Sequence, residues 1–268
     1  MIIDFHTHVF PDSIAARAIS SLEEKIHNDR FAGKAVIEGT LGALIGSMRD
    51  NGIDYSVVMP IATTLTQSNS INKFAKVVNE TDGLFSFGSL HPMQEDWESV
   101  LYDVKEKGLK GIKLHPEYQQ FYIDSRESLR LLKKCEELEM TVVVHAGKDH
   151  GVAPPVHCMP ERLRHALEYV RGDRIVAAHL GGWDVWDDVE KYLVGTPVML
   201  DTAFTIDFID KEQFLRIIKN HGSRKILYGT DSPWEKQSRC AEYINSLPLD
   251  EDEKNNIFYK NAMRLLGI

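Results

Sequence analysis

Residues 4–9 read Asp-Phe-His-Thr-His-Val, which sets His6 and His8 two positions apart where an apolar run gives out. Along a β-strand successive side chains alternate between faces, so residues i and i+2 share one. Two imidazoles projecting together could grip a metal ion; a pair of surface histidines at a strand end is the plainer alternative. The other histidines sharpen the choice. Of eleven, six close runs that read as strands: His6 and His8, then His91, His115, His145 and His179, while Asp231 closes a further run. His27, His165 and His221 fall instead in helical or loop stretches. Neutral imidazole and carboxylate suit zinc and related divalent ions, and a catalytic site leaves one position open for water or substrate. A metal so held lowers the pKa of its bound water to about 7.

Such positions need a scaffold that gathers strand ends. Eight short runs rich in β-branched and aromatic residues span 2–8, 54–62, 84–90, 110–115, 141–147, 174–182, 197–204 and 225–231. Between them lie stretches with apolar residues at three- and four-residue spacing, among them 128–139, 161–172 and 212–222. Glycines 83, 108, 172 and 222 stand where helices would end, and 250–267 reads as a closing helix with an acidic start. Strands alternating with helices make a parallel sheet, and this count and length favour closure into an α/β (β/α)8 TIM barrel spanning 1–268 as one domain. An open doubly wound sheet is the alternative, but His-Thr-His-Val-Phe-Pro-Asp stands where its glycine-rich turn would be. Residues 9–40 are long for a loop and read as an N-terminal insertion after the first strand, near the barrel mouth. In a barrel the strand ends meet on the face that carries active sites.

Composition excludes several classes. The 268 residues carry 31 basic and 40 acidic side chains, a net charge of −9, which argues against nucleic acid or an anionic membrane as partner. Cys135, Cys158 and Cys240 are scattered, with no CxxC pair, so neither a disulfide framework nor a cysteine zinc site is expected. Met1 leads straight into the first strand and no apolar run has membrane-spanning length, so the expectation is a cytoplasmic protein with a small-molecule substrate, a homo-oligomer being compatible.

The motifs together resemble a known family. FHTH on the first strand, single histidines closing the fifth and sixth, and the aspartate of GTDSPW on the eighth resemble the amidohydrolase superfamily. VVVHAG, AAHLGGWD, ILYGTDSPW and NAMRLLGI resemble blocks of its amidohydrolase-2 branch, related to aminocarboxymuconate-semialdehyde decarboxylase, and the likeness runs from residue 4 to 267. The resemblance implies that His6, His8, His145 and Asp231 bind one divalent metal, zinc by default, with His179 as the acid/base or the group orienting the activated water. In binuclear relatives a carboxylated lysine or a glutamate ends the fourth strand. Here that strand ends KGIKLHPEY, with Lys113 two residues deeper than His115 and Glu117 beyond a proline. One metal is therefore favoured and a second left open.

Other residues carry two readings each. His91 and His115 precede prolines, which would end the strands regardless of function. His157 lies in a loop and either faces substrate or is solvent-exposed. Trp183 and Trp234 wall the pocket or pack on helices. The expected activity is hydrolysis of a small-molecule amide, lactone or ester, with His179 or Asp231 taking the water's proton. A non-oxidative decarboxylase on the same site is the alternative. It wants a cation near the leaving carboxylate, and no arginine closes a strand, although Arg17, Lys34 or Arg126 could reach in from loops. A non-catalytic binding protein is the third reading, opposed by the completeness of the ligand set.

Overall fold

Parallel strands buried on both faces need helices outside and a filled interior, and the chain supplies both. The computed structural model describes residues 1–26 and 33–268; His27 lies outside the described residues. The strands are β1 (Ile3–Thr7), β2 (Tyr55–Val58), β3 (Leu84–Ser86), β4 (Gly88–Ser89), β5 (Gly111–Leu114), β6 (Thr141–Val144), β7 (Ile175–Ala177), β8 (Met199–Asp201) and β9 (Ile226–Leu227). They pair in parallel in chain order, β1 to β3 and β4 to β9. β3 and β4 are one expected strand split at Phe87, whose N–H donates to the Val58 carbonyl at 2.9 Å. The ring closes where Phe5 N donates to Tyr228 O (2.8 Å), Asp231 N to His6 O (2.8 Å) and His8 N to Ser232 O (2.6 Å). The fold is an α/β TIM barrel of eight strands, one of them interrupted.

The strand period decides what fills it. Val57, Val143, Val176, Met199 and Leu227 point into the barrel with Ile3 and Phe5, in a cluster that also holds Leu265 and Leu266 of the closing helix. Their neighbours Val58, Val142, Val144, Ala177, Leu200 and Ile226 face outward into the layer shared with the helices. The helix Arg126–Glu137 starts at Ser125, whose hydroxyl accepts from Ser128 N, and buries Leu131, Leu132 and Cys135. Leu131→Ala would cost about 2–5 kcal/mol. The stretch expected helical over 161–172 is shorter, Pro160–Ala166. The closing helical segment begins at Asp250, which forms a reciprocal capping box with Glu253.

The stretch after β1 begins with the helix Asp12–Ile26, and Phe10 and Leu22 from it line the cavity at the strand ends. No described helix is long and apolar enough to cross a membrane.

Candidate active site

The C-terminal strand ends enclose a cavity of about 120 Å³ lined by His6, His8, Lys113, His115, His145, His179 and Asp231 together with an apolar and aromatic rim. His6 does not get there by simple alternation. Phe5 already points into the barrel, and the pairing of β1 with β2 shifts register between Asp4 and Thr7. That irregularity turns His6 inward directly after Phe5, a common use of a bulge beside a site. His145 follows the inward parity of Val143, and Asp201 that of Met199. His179 and Asp231 sit in left-handed backbone, at φ 60° and 66°. Such strained geometry in residues without glycine's freedom persists only where the surroundings impose it. Here Asp201 Oδ1 accepts from His179 N at 2.9 Å, and Asp231 N donates to His6 O.

The outer partners of the imidazoles determine where their lone pairs lie. His6 Nδ1 donates to Asp201 Oδ2 (2.8 Å) and His8 Nδ1 donates to the Met59 carbonyl (2.7 Å). Each Nε2 is therefore an acceptor, since a neutral imidazole carries one proton. The two Nε2 atoms lie 3.2 Å apart, and Asp231 Oδ1 is 3.4 Å from His6 Nε2 and 3.0 Å from His8 Nε2. Three lone-pair atoms thus face one another within 4.8 Å. Such a set repels itself unless a cation lies among them, and two imidazoles with a carboxylate are a fitting donor set for a divalent transition ion.

The electrostatics agree. Burial, aided by the charge of Lys113, pushes His6 down to about 4, so its imidazole is neutral at physiological pH. Burial disfavours the Asp231 carboxylate, but positive charge facing it from the His6 and His8 side holds the carboxyl well below its usual range, a demand that a cation meets once both imidazoles are neutral. Asp201, also buried, is held low by His6, whose Nδ1–H donates to it. An anionic carboxylate and a neutral imidazole are the protonation states metal binding requires.

His145 and His179 adjoin this group. His179 Nδ1 donates to the Ala203 carbonyl (2.9 Å), leaving Nε2 bare and 3.0 Å from His145 Nδ1. His145 Nε2 donates to the Lys148 carbonyl at 3.1 Å, so its Nδ1 is bare as well. His145 also belongs to a second cluster with His115 and Asp149. In that cluster the His115 and His145 rings stack at 4.2 Å and 12°, so their in-plane lone pairs run side by side and do not converge. His115 Nδ1 accepts from Tyr118 N at 3.4 Å, and its Nε2 lies 3.4 Å from Asp149 Oδ2, where it donates. This arrangement is a hydrogen-bonded stack.

Several expectations need correction. His157 is neither solvent-exposed nor among the cavity-lining residues: it is buried, and its Nδ1 and backbone N–H donate to the two Glu117 oxygens at 2.7 and 2.6 Å. Glu117 is thereby committed away from the cavity. His91 is buried too, donating from Nε2 to the Gln119 carbonyl at 2.8 Å, and lies outside the cavity lining. Trp183 and Trp234 do line the cavity, and Trp183 also packs on Trp186 and donates to Phe204 O. Arg17 and Arg126 are exposed, and Lys34 pairs with Glu23 at the surface; none lines the cavity. Its lysines are Lys113 and Lys148.

Sequence reading missed Asp201, Asp149, Tyr118, Lys148 and His150. Asp201 had a signal: a carboxylate inside an apolar strand run, two residues from inward Met199. The others lie on loops or a single helical turn, where no period operates.

Comparisons with known proteins agree with this architecture. The sequence matches the amidohydrolase family, in its amidohydrolase-2 branch, over residues 3–268. No curated protein matches it in sequence. Among solved structures, an uncharacterised TIM-barrel protein of Bordetella bronchiseptica superposes with a TM-score of 0.73 at 17% identity, covering 99% of this chain and 98% of that one. A 5-carboxyvanillate decarboxylase of Novosphingobium aromaticivorans, solved with bound manganese, gives 0.72 at 12% identity, covering 100% and 97%. A proposed 2-pyrone-4,6-dicarboxylic acid hydrolase of Pseudomonas putida gives 0.67 at 16% identity, covering 99% and 97%. At these identities the likeness is one of fold, whereas the family match extends over nearly the whole sequence; the chain belongs to the amidohydrolase-2 family.

Proposed function

We propose that this chain is a metal-dependent hydrolase acting on a small-molecule amide, lactone or ester. One divalent ion, zinc by preference, would be held by His6, His8 and Asp231, with His145 as fourth ligand through Nδ1. The observation that supports this most is the convergence of three lone-pair atoms, one carboxylate oxygen and two imidazole nitrogens whose ring protons are committed elsewhere, on Asp201 and the Met59 carbonyl. A bound divalent ion lowers the pKa of water and polarises a carbonyl.

The protein's own groups do the rest. His179 keeps its Nδ1 proton on Ala203 O, so Nε2 is oriented to accept a proton from the attacking water and to return it to the leaving group. Asp231, a carboxylate, is a second acceptor at that point. Trp183, Trp234, Phe10 and Leu22 wall the cavity and limit solvent around the reacting carbon.

A second reading, a non-oxidative decarboxylase, draws support from one observation. The cation that such chemistry wants beside a leaving carboxylate would be supplied by Lys113 in the cavity lining, where no arginine stands among the described residues. The two structural neighbours named by activity carry one label of each kind. Product analysis separates the readings. A turnover screen with zinc-loaded protein in ¹⁸O-water should yield labelled product and no carbon dioxide; carbon dioxide release without label would replace hydrolysis by decarboxylation.

A further inference from the structure

We propose that Asp4 is a positioning residue: with Thr230 it clasps the left-handed turn that presents Asp231 to His6 and His8. The proposal rests on the metal-site reading above, although neither Asp4 nor Thr230 lines the cavity. Asp4 lies on β1 between inward-facing Ile3 and Phe5, so its side chain leaves the barrel toward the helices. Other strands send apolar residues into that layer, Val142, Val144, Ala177, Leu200 and Ile226 among them, whereas β1 sends a fully buried carboxylate. A carboxylate taken out of water is costly unless donors surround it.

The donors define what this one holds. Oδ1 accepts from Thr230 N at 3.0 Å and from His6 N at 3.3 Å. Oδ2 accepts from the Thr230 hydroxyl at 2.6 Å and from Gln237 Nε2 at 2.8 Å. Three of these four bonds come from His6 and from the residue before Asp231. The Thr230 hydroxyl, its proton given to Asp4, accepts in turn from Ser232 N at 3.1 Å. It therefore bridges the residues on either side of Asp231, whose own N–H is taken by His6 O. Asp231 is thereby closed in from both sides at φ 66°, a sparsely populated conformation that its surroundings must impose.

An apolar side chain at position 4 would fill the layer but leave Thr230 without this acceptor. The fourth donor anchors the clasp to the helices. Gln237 opens the helix Gln237–Asn245, and its Oε1 accepts at 2.7 Å from Ser47 of the helix Leu41–Asn51. Asp201 thus orients His6 from inside the barrel, and Asp4 orients Asp231 from outside it.

The test uses Asp4→Asn, Thr230→Val and Thr230→Ser, with Tyr228→Phe as control. Tyr228 donates to Gln237 O at 2.6 Å, so its change weakens the same layer without touching the clasp. Asparagine keeps one acceptor oxygen but sets an NH2 against donors; valine keeps threonine's shape without the hydroxyl, and serine restores the hydroxyl. Chelator competition gives zinc affinity. Amide hydrogen exchange at Asp231 and Ser232 is followed without metal, relative to Val142, whose N–H donates to Arg174 O within the same barrel. Asp4→Asn and Thr230→Val are expected to lower zinc affinity by about tenfold and to speed exchange at Asp231 and Ser232 more than at Val142. Thr230→Ser should stay close to wild type, and Tyr228→Phe should lower the melting temperature while sparing both readouts. If Asp4→Asn does not fold, the two threonine variants carry the test. Wild-type zinc affinity in Thr230→Val overturns the proposal, as does exchange at Asp231 and Ser232 that rises no more than at Val142. A serine variant as impaired as the valine one, or an equally impaired Tyr228→Phe, overturns it too. Failure of the wild type to bind zinc would overturn the metal reading instead, and the exchange rates would then judge the clasp by themselves.

Discussion

Asp201 Oδ2 accepts a hydrogen bond from His6 Nδ1 at 2.8 Å, while Oδ1 of the same carboxylate accepts from the backbone amides of His179 and Ala203 at 2.9 and 3.1 Å. One buried side chain thus orients the first histidine of the cluster and pins the left-handed turn that presents His179. Outer partners of this kind set the tautomer and basicity of a ligand imidazole.

Asp201→Asn retains an acceptor oxygen but removes the charge. The expected outcome is a folded protein whose zinc affinity falls about 10–100-fold. Competition against a chromophoric chelator measures it. Unchanged affinity would show that His6 needs no anionic partner.

His179→Asn should leave zinc binding within a few-fold of wild type and reduce turnover by about 10²–10⁴ once a substrate is found. Its Nδ1 already serves Ala203 O, so the loss would trace to Nε2. Turnover equal to wild type would transfer the proton-accepting role to Asp231.

Gly147 joins the loops that follow β6 and β7, with Trp183 N donating to Ala146 O at 2.8 Å and Lys148 N to Trp183 O at 2.9 Å. Its φ is 83°, and an added Cβ would lie 2.2 Å from Trp183 N. Gly147→Ala should therefore destabilise the fold by about 2–5 kcal/mol, from left-handed strain and overlap together. Urea unfolding gives the value, and a loss below about 0.5 kcal/mol would contradict the packing described.

His221 lies far from the site and makes the acid response of the fold measurable. Nε2 donates to Val198 O at 2.8 Å and Nδ1 accepts from Gly195 N at 3.2 Å, which only a neutral imidazole can do. Burial, with the charge of Lys225, pushes its pKa from 6.5 down to about 4. The unfolded chain therefore binds the proton first. This contribution is complete above pH 6.5 and is lost as pH falls toward 4, by about 3 kcal/mol. His6, His91, His115 and His145 are lowered in the same direction, so the whole protein should lose stability in acid. Chemical unfolding of wild type and His221→Gln at several pH values isolates the one residue. Parallel curves would rule out the assigned role.

The barrel and most of the cluster were legible because both rest on strand periodicity. Short β-branched runs give the strands, and histidines closing them gather wherever a barrel closes. What escaped does not follow a simple period. The bulge in β1 that turns His6 inward after Phe5 leaves no mark in residue types. His179 is turned by left-handed backbone, so alternation from Val176 would aim it outward. His91 and His157 looked like site residues by type and position, yet each is consumed by a local contact, with Gln119 O and Glu117. Lys113 starts two residues deeper than His115, yet its long stem brings it into the cavity lining, a reach that strand rise alone does not show.

As proposed above, the lone pairs of His6, His8 and Asp231 would enclose a metal ion. Elemental analysis of protein purified without chelator or added metal, alongside the His8→Ala/Asp231→Ala double variant, tests it directly. About one equivalent of zinc or another transition ion is expected per wild-type chain, with a loss of about tenfold or more in the double variant. Equal metal in both proteins, or none in wild type after reloading, would contradict it.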